Sequence, residues 1–210
     1  MRILVVAATA PEIAALVAAA PAHVDVLITG VGMVATAARA ARAMTETRYD
    51  VAFNFGVCGA FDRALPLGRV CHVVSDVFSE LGAQDDERFL SIEEMKLLGS
   101  DEAPFTGGRL LNPAPPLNAT LQRLPQVRGI TVNTVHGHES SIAAVSARLQ
   151  PQVESMEGAA FMYAALITGT PFAQVRAVSN VVERRNRAAW RLDDAIRNLG
   201  ETATRMLRDA

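Results

Sequence analysis

The chain has 210 residues, of which half are hydrophobic and 20% are charged, with a net charge of −2 and a pI near 6.1. These values exclude a disordered chain and leave no electrostatic footprint for binding a nucleic acid. Aromatic residues make up 5% of the sequence, too few to build stacking platforms for single strands.

The length suits one α/β domain with a sizeable core, and no repeat or change of composition divides residues 1–210. We therefore predict a single domain. Residues 3–10 faintly resemble a signal peptide, but the apolar run is too short and Pro11 follows it at once. No apolar run reaches the length that spans a bilayer. Because Cys58 and Cys71 form no disulfide framework, we expect a cytoplasmic protein.

Strand-like and helical segments alternate along most of the chain. Residues 79–125 are the irregular part, acidic and then proline-rich, with a capping box at Ser91–Glu94 that predicts a short helix. Such alternation predicts a three-layer αβα fold around a mainly parallel, mixed sheet, with ligands at the carboxyl ends of the strands. The predicted strands are 3–8, 24–29, 51–55, 70–78, 128–135 and 172–179, and the predicted helices are 10–20, 34–44, 140–150, 158–168 and 193–208.

Residues 152–163 carry two carboxylates, Glu154 and Glu157, in an otherwise apolar run of mostly small residues. Gly158 and the two alanines after it let another backbone approach closely. A carboxylate at such a strand-to-helix corner can bind two neighbouring hydroxyl groups of a sugar. Alternatively, one of the two acids only stabilises the start of the following helix.

Glu12 follows the first predicted strand closely and also has two interpretations. Thr9-Ala10-Pro11-Glu12 fits a capping box, with proline tolerated in the first helical turn, so Glu12 can serve the backbone alone. It can also be a general base that points into a cleft.

Two glycine-rich stretches follow predicted strands. Gly30-Val31-Gly32, with Ala35 in the third place, nearly matches the dinucleotide fingerprint, and Asp50 lies about twenty residues further on but before the next strand. A dinucleotide-binding module therefore stays open. Residues 54–60 contain no Lys, Arg, Ser or Thr and make a poor phosphate cradle, although their N–H groups could hold a water or a sugar oxygen. Cys58 within them has no basic neighbour and is interpreted as structural.

The last predicted strand ends in Ser179 and Asn180. An amide offers one donor and one acceptor side, so Asn180 can match the O6 and N7 edge of a 6-oxopurine, or it can simply form an Asx turn. Beyond it, three arginines surround the single tryptophan, Trp190, either as a solvated basic face or as a site for an anionic aromatic tail. The four histidines show no metal-ligand spacing, and we predict no metal site.

Seven segments together resemble the nucleoside phosphorylase and nucleosidase superfamily, and within it the futalosine hydrolases of menaquinone biosynthesis. The Ser-Met-Glu-Gly-Ala-Ala piece at 155–160 is typical of the superfamily, whereas Leu-Gly-Ala at 81–83 and Arg-Asn-Arg-Ala-Ala-Trp at 185–190 favour the subfamily. The matching segments cover residues 8–12, 28–33, 54–59, 79–85, 132–135, 154–160 and 176–190.

The resemblance implies roles for the candidate residues. Glu12 would activate water, Glu157 would bind the ribose 2′- and 3′-hydroxyls above Met156, and Asn180 would hold the purine. Backbone at 153–156 and near Asn133 would line the base pocket. The further candidates for substrate binding are Ser155, Gly59, Cys58, Ser179 and Arg176.

Two departures from related enzymes indicate the reaction. Phosphorylases of the superfamily carry an arginine and a serine where this chain has Asn54 and Val57, so water is the expected nucleophile. Adenine-releasing nucleosidases carry an aspartate at the place of Asn180, and this aspartate can protonate N7. The amide of Asn180 cannot supply that proton, so hypoxanthine is the expected leaving base. The alternatives are a methylthioadenosine/S-adenosylhomocysteine nucleosidase, a purine nucleoside phosphorylase, or a non-enzymatic nucleoside- or dinucleotide-binding module.

The resemblance further implies a small-molecule nucleoside substrate, no cofactor, and no nucleic-acid or membrane partner. By analogy, a neighbouring subunit often completes this pocket, so we expect a homodimer or a higher homo-oligomer. The benzoate of futalosine calls for a cation, for which Arg88, Arg184, Arg185 and Arg187 are the candidates.

Overall fold

The computed structural model describes residues 1–17 and 21–210. Within them no helix is long and apolar enough to cross a membrane. In chain order the elements are β1 (Ile3–Ala7), a 3-10 turn (Ala10–Ile13), α1 (Ala14–Val17), β2 (Val24–Ile28), α2 (Met33–Glu46), β3 (Val51–Ala60), β4 (Val70–Asp76), β5 (Gly82–Asp85), β6 (Arg88–Ser91), β7 (Leu110–Leu111), α3 (Ala119–Gln122), β8 (Gln126–Thr131), α4 (Glu139–Leu149), β9 (Val153–Ser155), α5 (Gly158–Thr168), β10 (Phe172–Val181), a second 3-10 turn (Arg187–Ala189) and α6 (Leu192–Arg208).

Strand β3 organises a mixed central sheet. Its first half pairs with β1, which pairs with β2, and its other edge pairs with β10 along most of its length. From β10 the order continues through β4, β8 and β9, and β9 returns to pair with the end of β3. Five strands therefore close into a ring. In the central sheet, as far as the structure describes it, all pairs but β10–β4, β3–β9 and β4–β7 are parallel, so the prediction of a mainly parallel, mixed sheet is confirmed.

Helices cover both faces of the sheet, as the alternation predicted. Alternate residues of β1 point to opposite faces, so Ile3 and Val5 lie in a cluster with Leu199 of α6, whereas Leu4 and Val6 lie in a cluster with Phe161 of α5. All five residues of β1 are buried, which explains the continuous apolar run of this strand. The three-layer αβα prediction is confirmed.

Several predicted boundaries are wrong. The predicted helix 10–20 is a 3-10 turn followed by the short α1, and its last three residues lie outside the described ones. The predicted loop after Phe55 is absent, because β3 continues through Gly56 and Gly59 to Ala60 while β10 and β9 still pair with it. The predicted strand 128–135 is shifted towards the N-terminus and ends at Thr131.

The irregular region 79–125 contains a β5–β6 hairpin that was not predicted. The capping box after it is formed, since Ser91 N donates to Glu94 at 2.8 Å and Glu94 N donates to Ser91 Oγ at 3.2 Å. No helix follows, however, and the predicted one is wrong. The chain turns instead, with Lys96 at a positive φ of 58°, which a right-handed helix does not allow.

Candidate active site

Glu12 lies in the 3-10 turn after β1, and its two carboxylate oxygens have different partners. Oε2 accepts from Thr9 N at 2.8 Å and from the Thr9 hydroxyl at 2.9 Å, which is the capping-box contact. Oε1 instead accepts from Val57 N in β3 at 3.2 Å. A Cβ added to Gly56 would lie only 3.2 Å from Oε1, so glycine leaves this oxygen room. The capping contact thus orients Glu12, and one oxygen faces the glycine-rich part of β3.

Glu157 directly precedes α5 but does not cap it. Its side chain accepts no hydrogen bond from the N–H groups of α5, and Oε1 accepts from Gly32 N at 2.9 Å. Gly32 has a positive φ of 97° and lies at the start of α2, where the helix dipole favours a negative charge. The carboxylate therefore occupies the position at which a dinucleotide-binding loop would hold a phosphate. This arrangement argues against the dinucleotide-binding alternative.

Arg176 of β10 places a buried cation next to these acids. The residue is 1% exposed, and its guanidinium donates to the side chain of Asn54 and to the carbonyls of Asn54 and Val175. A Cβ added to Gly56 would lie 3.3 Å from Nη1 of Arg176, and this same Cβ would lie 3.2 Å from Oε1 of Glu12. The buried Nε of Arg176 has no hydrogen-bond partner among the described residues. Asn54 thus orients the cation from β3.

The charge of Glu157 is set by opposing effects. Burial raises the pKa of Glu157 above its ordinary value of 4.5, the Arg176 guanidinium lowers this pKa, and the Glu12 carboxylate raises it. Glu12 and Arg176 share one neighbourhood, because a Cβ added at Gly56 would approach both Oε1 of Glu12 and Nη1 of Arg176. The effects of Glu12 and Arg176 on the pKa of Glu157 agree with a position of Glu157 near them.

We expect Glu157→Gln to unfold at a higher temperature than the wild type above pH 6. A raised pKa means that the folded protein holds the proton more tightly than the unfolded chain, so Glu157 destabilises the fold as the pH rises above 4.5. The advantage of the variant should grow from about pH 4.5 upwards and vanish below it, which thermal unfolding at pH 4, 6 and 8 would measure. An advantage that is largest at pH 4 would contradict this account.

The start of α5 is fixed by a buried hydrogen-bond chain. Ala159 N donates to the Thr131 hydroxyl at 2.6 Å, which donates to Asp76 at 3.0 Å, and Gln174 donates to the same carboxylate at 3.1 Å. Burial raises the pKa of Asp76, which is fully buried. A methyl group on Gly158 would overlap Gln174 and Asp76, so only glycine fits here. These hydrogen bonds fix the start of α5 and so position Glu157, the residue directly before this helix.

Asn180 lies at the end of β10 and lines a cavity together with Gly59, His136, Glu154 and Trp190. Its Oδ1 lies 2.8 Å from the Ser179 hydroxyl, and its Nδ2 donates to Val181 O at 3.1 Å. One lone pair and one N–H of the amide remain for a ligand. Sequence reasoning assigned no role to His136 and treated Glu154 as one of two acids at a strand-to-helix corner. The short β9 that carries Glu154 has too few residues for a periodic signal.

The other predicted site residues lie in different surroundings. Ser155 is buried, and its hydroxyl accepts from Gly158 N at 3.2 Å, whereas Met156 packs beside Ile130 and Val132. Asn133 is exposed and its N–H donates to Glu80 at 3.2 Å, so the structure does not bring it to the cavity of Asn180. Val135 and His136 line that cavity instead.

The two cysteines lie in one apolar cluster inside the ring of strands. A hydrogen bond with Cys71, as the largest cause, and burial, as the next largest, raise the pKa of the Cys58 thiol well above its ordinary value. A thiol in this state is a poor nucleophile, which agrees with a structural interpretation. Among the described residues no group of three or more acids, histidines or cysteines is close enough to hold a metal ion.

The four candidate arginines for a substrate tail differ in position. Arg185 and Arg187 lie over the Trp190 ring at 5.4 and 5.8 Å, and Arg185 also lines the cavity of Asn180. Arg184 is exposed in a neighbouring groove, and Arg88 forms a surface ion pair with Glu94 at 2.9 Å. Arg185 is therefore the candidate nearest to Asn180.

Comparisons with known proteins show the family to which the chain belongs. The family model described as Phosphorylase superfamily matches residues 22–210. The chain is 31% identical over 192 residues to a futalosine hydrolase of Streptomyces coelicolor, covering 87% of this chain and 77% of that protein. It is 30% identical over 186 residues to a futalosine hydrolase of Thermus thermophilus, covering 87% and 80%. A 5′-methylthioadenosine/S-adenosylhomocysteine nucleosidase of Colwellia psychrerythraea in complex with adenine superimposes with a TM-score of 0.78 at 20% identity, covering 100% and 95% of the chains.

Proposed function

Because the chain belongs to the phosphorylase superfamily and, within it, to the futalosine hydrolases, we propose that it hydrolyses the N-glycosidic bond of futalosine and releases hypoxanthine and dehypoxanthine futalosine. The reaction belongs to menaquinone biosynthesis. Family membership makes the protein a glycosidase that acts on N-glycosyl compounds. The observation that supports the proposal is the position of two buried acids after strands: Glu12 accepts from Val57 N of β3 close to the cation of Arg176, and Glu157 accepts from Gly32 N at the start of α2.

This charge distribution favours water over phosphate as the nucleophile. Two carboxylates repel a phosphate dianion, and a desolvated phosphate needs cationic partners. Arg176 is the nearby cation, but its terminal nitrogens already donate to Asn54 and Val175. Val57, at the place of the phosphorylase serine, offers its N–H to Glu12. The site therefore supports a hydrolase better than a phosphorylase.

The residues divide the work of hydrolysis. As in other glycosidases, we expect a ribose that carries positive charge in the transition state. Glu157 would hold the 2′- and 3′-hydroxyls and stabilise this charge, because charge-assisted hydrogen bonds strengthen as the charge builds. Glu12, oriented by Thr9, would take a proton from the attacking water through its Oε1. Asn180 would donate an N–H to the departing base, which leaves with the electron pair of the glycosidic bond and then takes a proton from solvent. The hydroxide left when Glu12 takes a proton from water would bond to the ribose carbon.

We expect Asn180→Asp to move the substrate preference towards 6-aminopurine nucleosides. A carboxylic acid can protonate N7 of adenine, whereas a carboxylate opposes O6 of hypoxanthine. The ratio of kcat/KM for inosine to that for methylthioadenosine should fall by about 10- to 100-fold, as one lost base contact costs. Asn198→Asp, which makes the same change of amide to acid at a residue that does not line the cavity of Asn180, serves as the matched control. An unchanged ratio in Asn180→Asp would contradict the proposal that the Asn180 amide sets the preference for a 6-oxopurine.

One assay tests the function itself. Purified protein without added phosphate is incubated with futalosine, inosine and methylthioadenosine, and the free bases are measured. We expect hypoxanthine from futalosine at the highest kcat/KM. Fastest cleavage of methylthioadenosine would favour the nucleosidase alternative, and a strict need for phosphate would favour the phosphorylase. A nucleoside sensor would bind without release of base. An increase of the unfolding temperature on addition of NAD would support the dinucleotide-binding alternative.

The substrate tail and the assembly belong to the same proposal. We expect the benzoate of futalosine to meet Arg185, which lies beside the cavity and stacks on Trp190. We also expect a homodimer or a higher homo-oligomer, by analogy with related enzymes.

A further inference from the structure

We propose that a second cavity, separate from the candidate active site, binds a small aromatic monocarboxylate. It has a volume of about 500 Å³ and is lined by the residues after β4, the β5–β6 hairpin, parts of the segment 91–109 and the end of α4. We call it the hairpin cavity. Its volume is typical of small-molecule sites. Within the part of the chain that the structure describes, it shares no lining residue with the cavity of Asn180, so the inference does not depend on the proposed function.

Three phenylalanines give the hairpin cavity an aromatic lining. Phe78, Phe89 and Phe105 are all half-buried, so part of each ring remains accessible. The rings of Phe78 and Phe105 both pack on Tyr163 of α5, with centroid distances of 6.3 and 5.9 Å, which holds them in one wall. Such a surface binds the body of an aromatic molecule, because ring packing removes apolar area from water on both sides.

Arg109, directly before β7, brings a half-buried cation to this cavity. Its Nε lies 3.4 Å from the Ser75 hydroxyl, and its Nη2 donates to Gly129 O at 3.1 Å. Among the described residues Nη1 has no acceptor, and no carboxylate forms an ion pair with this guanidinium. Burial lowers the pKa of Arg109 more than the nearby Asp76 carboxylate raises it. A partly desolvated cation in this state is stabilised by an anionic ligand.

Arg148, in the last turn of α4, places a second guanidinium at the exposed rim of the cavity. The group lies 3.9 Å from the centroid of the Phe89 ring, and its Nη1 donates to Ser79 O at 2.9 Å. These two contacts orient the guanidinium and leave most of its five N–H donors for a ligand. It also forms no ion pair with a carboxylate of the described chain. An oriented guanidinium suits the planar geometry of a carboxylate.

The charges around the hairpin cavity favour a ligand with one negative charge. Besides the two arginines, the lining contains Glu93 and Glu94. Glu94 is already paired with Arg88 at 2.9 Å, so within the lining Glu93 is the carboxylate that opposes two guanidinium groups. Asp76 and Glu80 lie outside the lining and accept hydrogen bonds from other parts of the chain. The remaining excess of one positive charge suits a monocarboxylate better than a dianion such as phosphate.

The competing interpretation is that the two arginines only tie the irregular region to β8 and α4. Calorimetry on the wild-type protein separates the two interpretations with three probes: 2-naphthoate, 2-naphthamide, which keeps the rings without the charge, and acetate, which keeps the charge without the rings. We expect 2-naphthamide and acetate each to bind at least about tenfold more weakly than 2-naphthoate. Equal affinities of naphthoate and naphthamide, or no binding of naphthoate, would overturn the inference.

Arg148→Gln tests whether the acid binds in the hairpin cavity. Its affinity for 2-naphthoate should fall at least about tenfold, because a charge-assisted contact is lost. Arg185→Gln is the matched control, since it removes one positive charge beside the cavity of Asn180, and it should keep the wild-type affinity for 2-naphthoate. No loss in Arg148→Gln, or an equal or larger loss in Arg185→Gln, would overturn the inference.

A crystal structure of the wild-type protein grown with 2-naphthoate decides the question if Arg148→Gln does not fold. We expect the rings to lie against Phe78 and Phe105 and the carboxylate to contact Arg109 and Arg148. Absence of the molecule from the hairpin cavity would overturn the inference. Because these measurements need no turnover, a wild-type protein that fails to hydrolyse futalosine would count against the proposed function alone.

Discussion

Glu12→Gln is expected to bind futalosine with nearly unchanged affinity and to lose most of its turnover. The amide keeps the size of the side chain, and its one oxygen can still accept from Thr9, but it cannot take a proton from water. General-base help is typically worth about 10²–10⁴-fold, and kcat should fall by that factor. Single-turnover kinetics together with calorimetric binding of substrate would measure the two quantities separately.

The chain contains a matched control for this variant. Glu94 accepts from Ser91 N in a capping box of the same spacing, yet it lies at the exposed surface. Glu94→Gln should therefore leave kcat unchanged while it removes a comparable local contact. If Glu12→Gln kept more than a third of the wild-type rate, or if both variants lost activity alike, Glu12 would not be the base.

Arg176→Gln is expected to lower kcat by roughly 10²–10³-fold and to shift its pH dependence. The guanidinium lowers the pKa of Glu157, so its removal lets this pKa rise further. Since the ionised form of Glu157 is the one that stabilises a cationic ribose, activity appears as the pH rises through this pKa. The acid limb of the kcat profile should therefore move to higher pH in the variant.

Exposed arginines offer a control for the loss of one positive charge. Arg42 forms a surface pair with Glu46 on α2, and Arg42→Gln should leave both kcat and its acid limb unchanged. The profiles are to be recorded below the unfolding temperature of each protein, because Arg176 is buried and bonded to Asn54. If the acid limb of Arg176→Gln were unshifted, the proposal that Arg176 lowers the pKa of Glu157 would be contradicted.

The sequence predicted β1 and the capping box of Glu12, because their signals are local. For Glu12 it left two interpretations open, a capping acid and a base. The structure makes the two compatible, since a carboxylate has two oxygens and Thr9 occupies only one of them. Buried strands with continuous apolar runs were likewise predictable. The family resemblance supplied the proposed roles, which the variants described above test.

Contacts between distant residues could not be predicted from local patterns. The partner of Glu157 is Gly32, which lies 125 residues away, and the partner of Glu154 is His136 across a loop. A pattern search examines spacings of a few residues, so it left open whether Glu157 serves its own helix start or binds a sugar. The same limit explains why β9 was missed, because three residues carry no measurable periodicity.

The ring of strands has a consequence for biosynthesis. Closure joins Gly59 of β3 to Glu154 of β9, and β10 then inserts along the other edge of β3. During translation β3 therefore emerges long before its final neighbours, with hydrophobic surface and unpaired backbone exposed. Chains of such high contact order fold slowly. A nascent chain stalled before β9 would be expected to depend on chaperones, and C-terminal truncations that remove β10 should accumulate as aggregates.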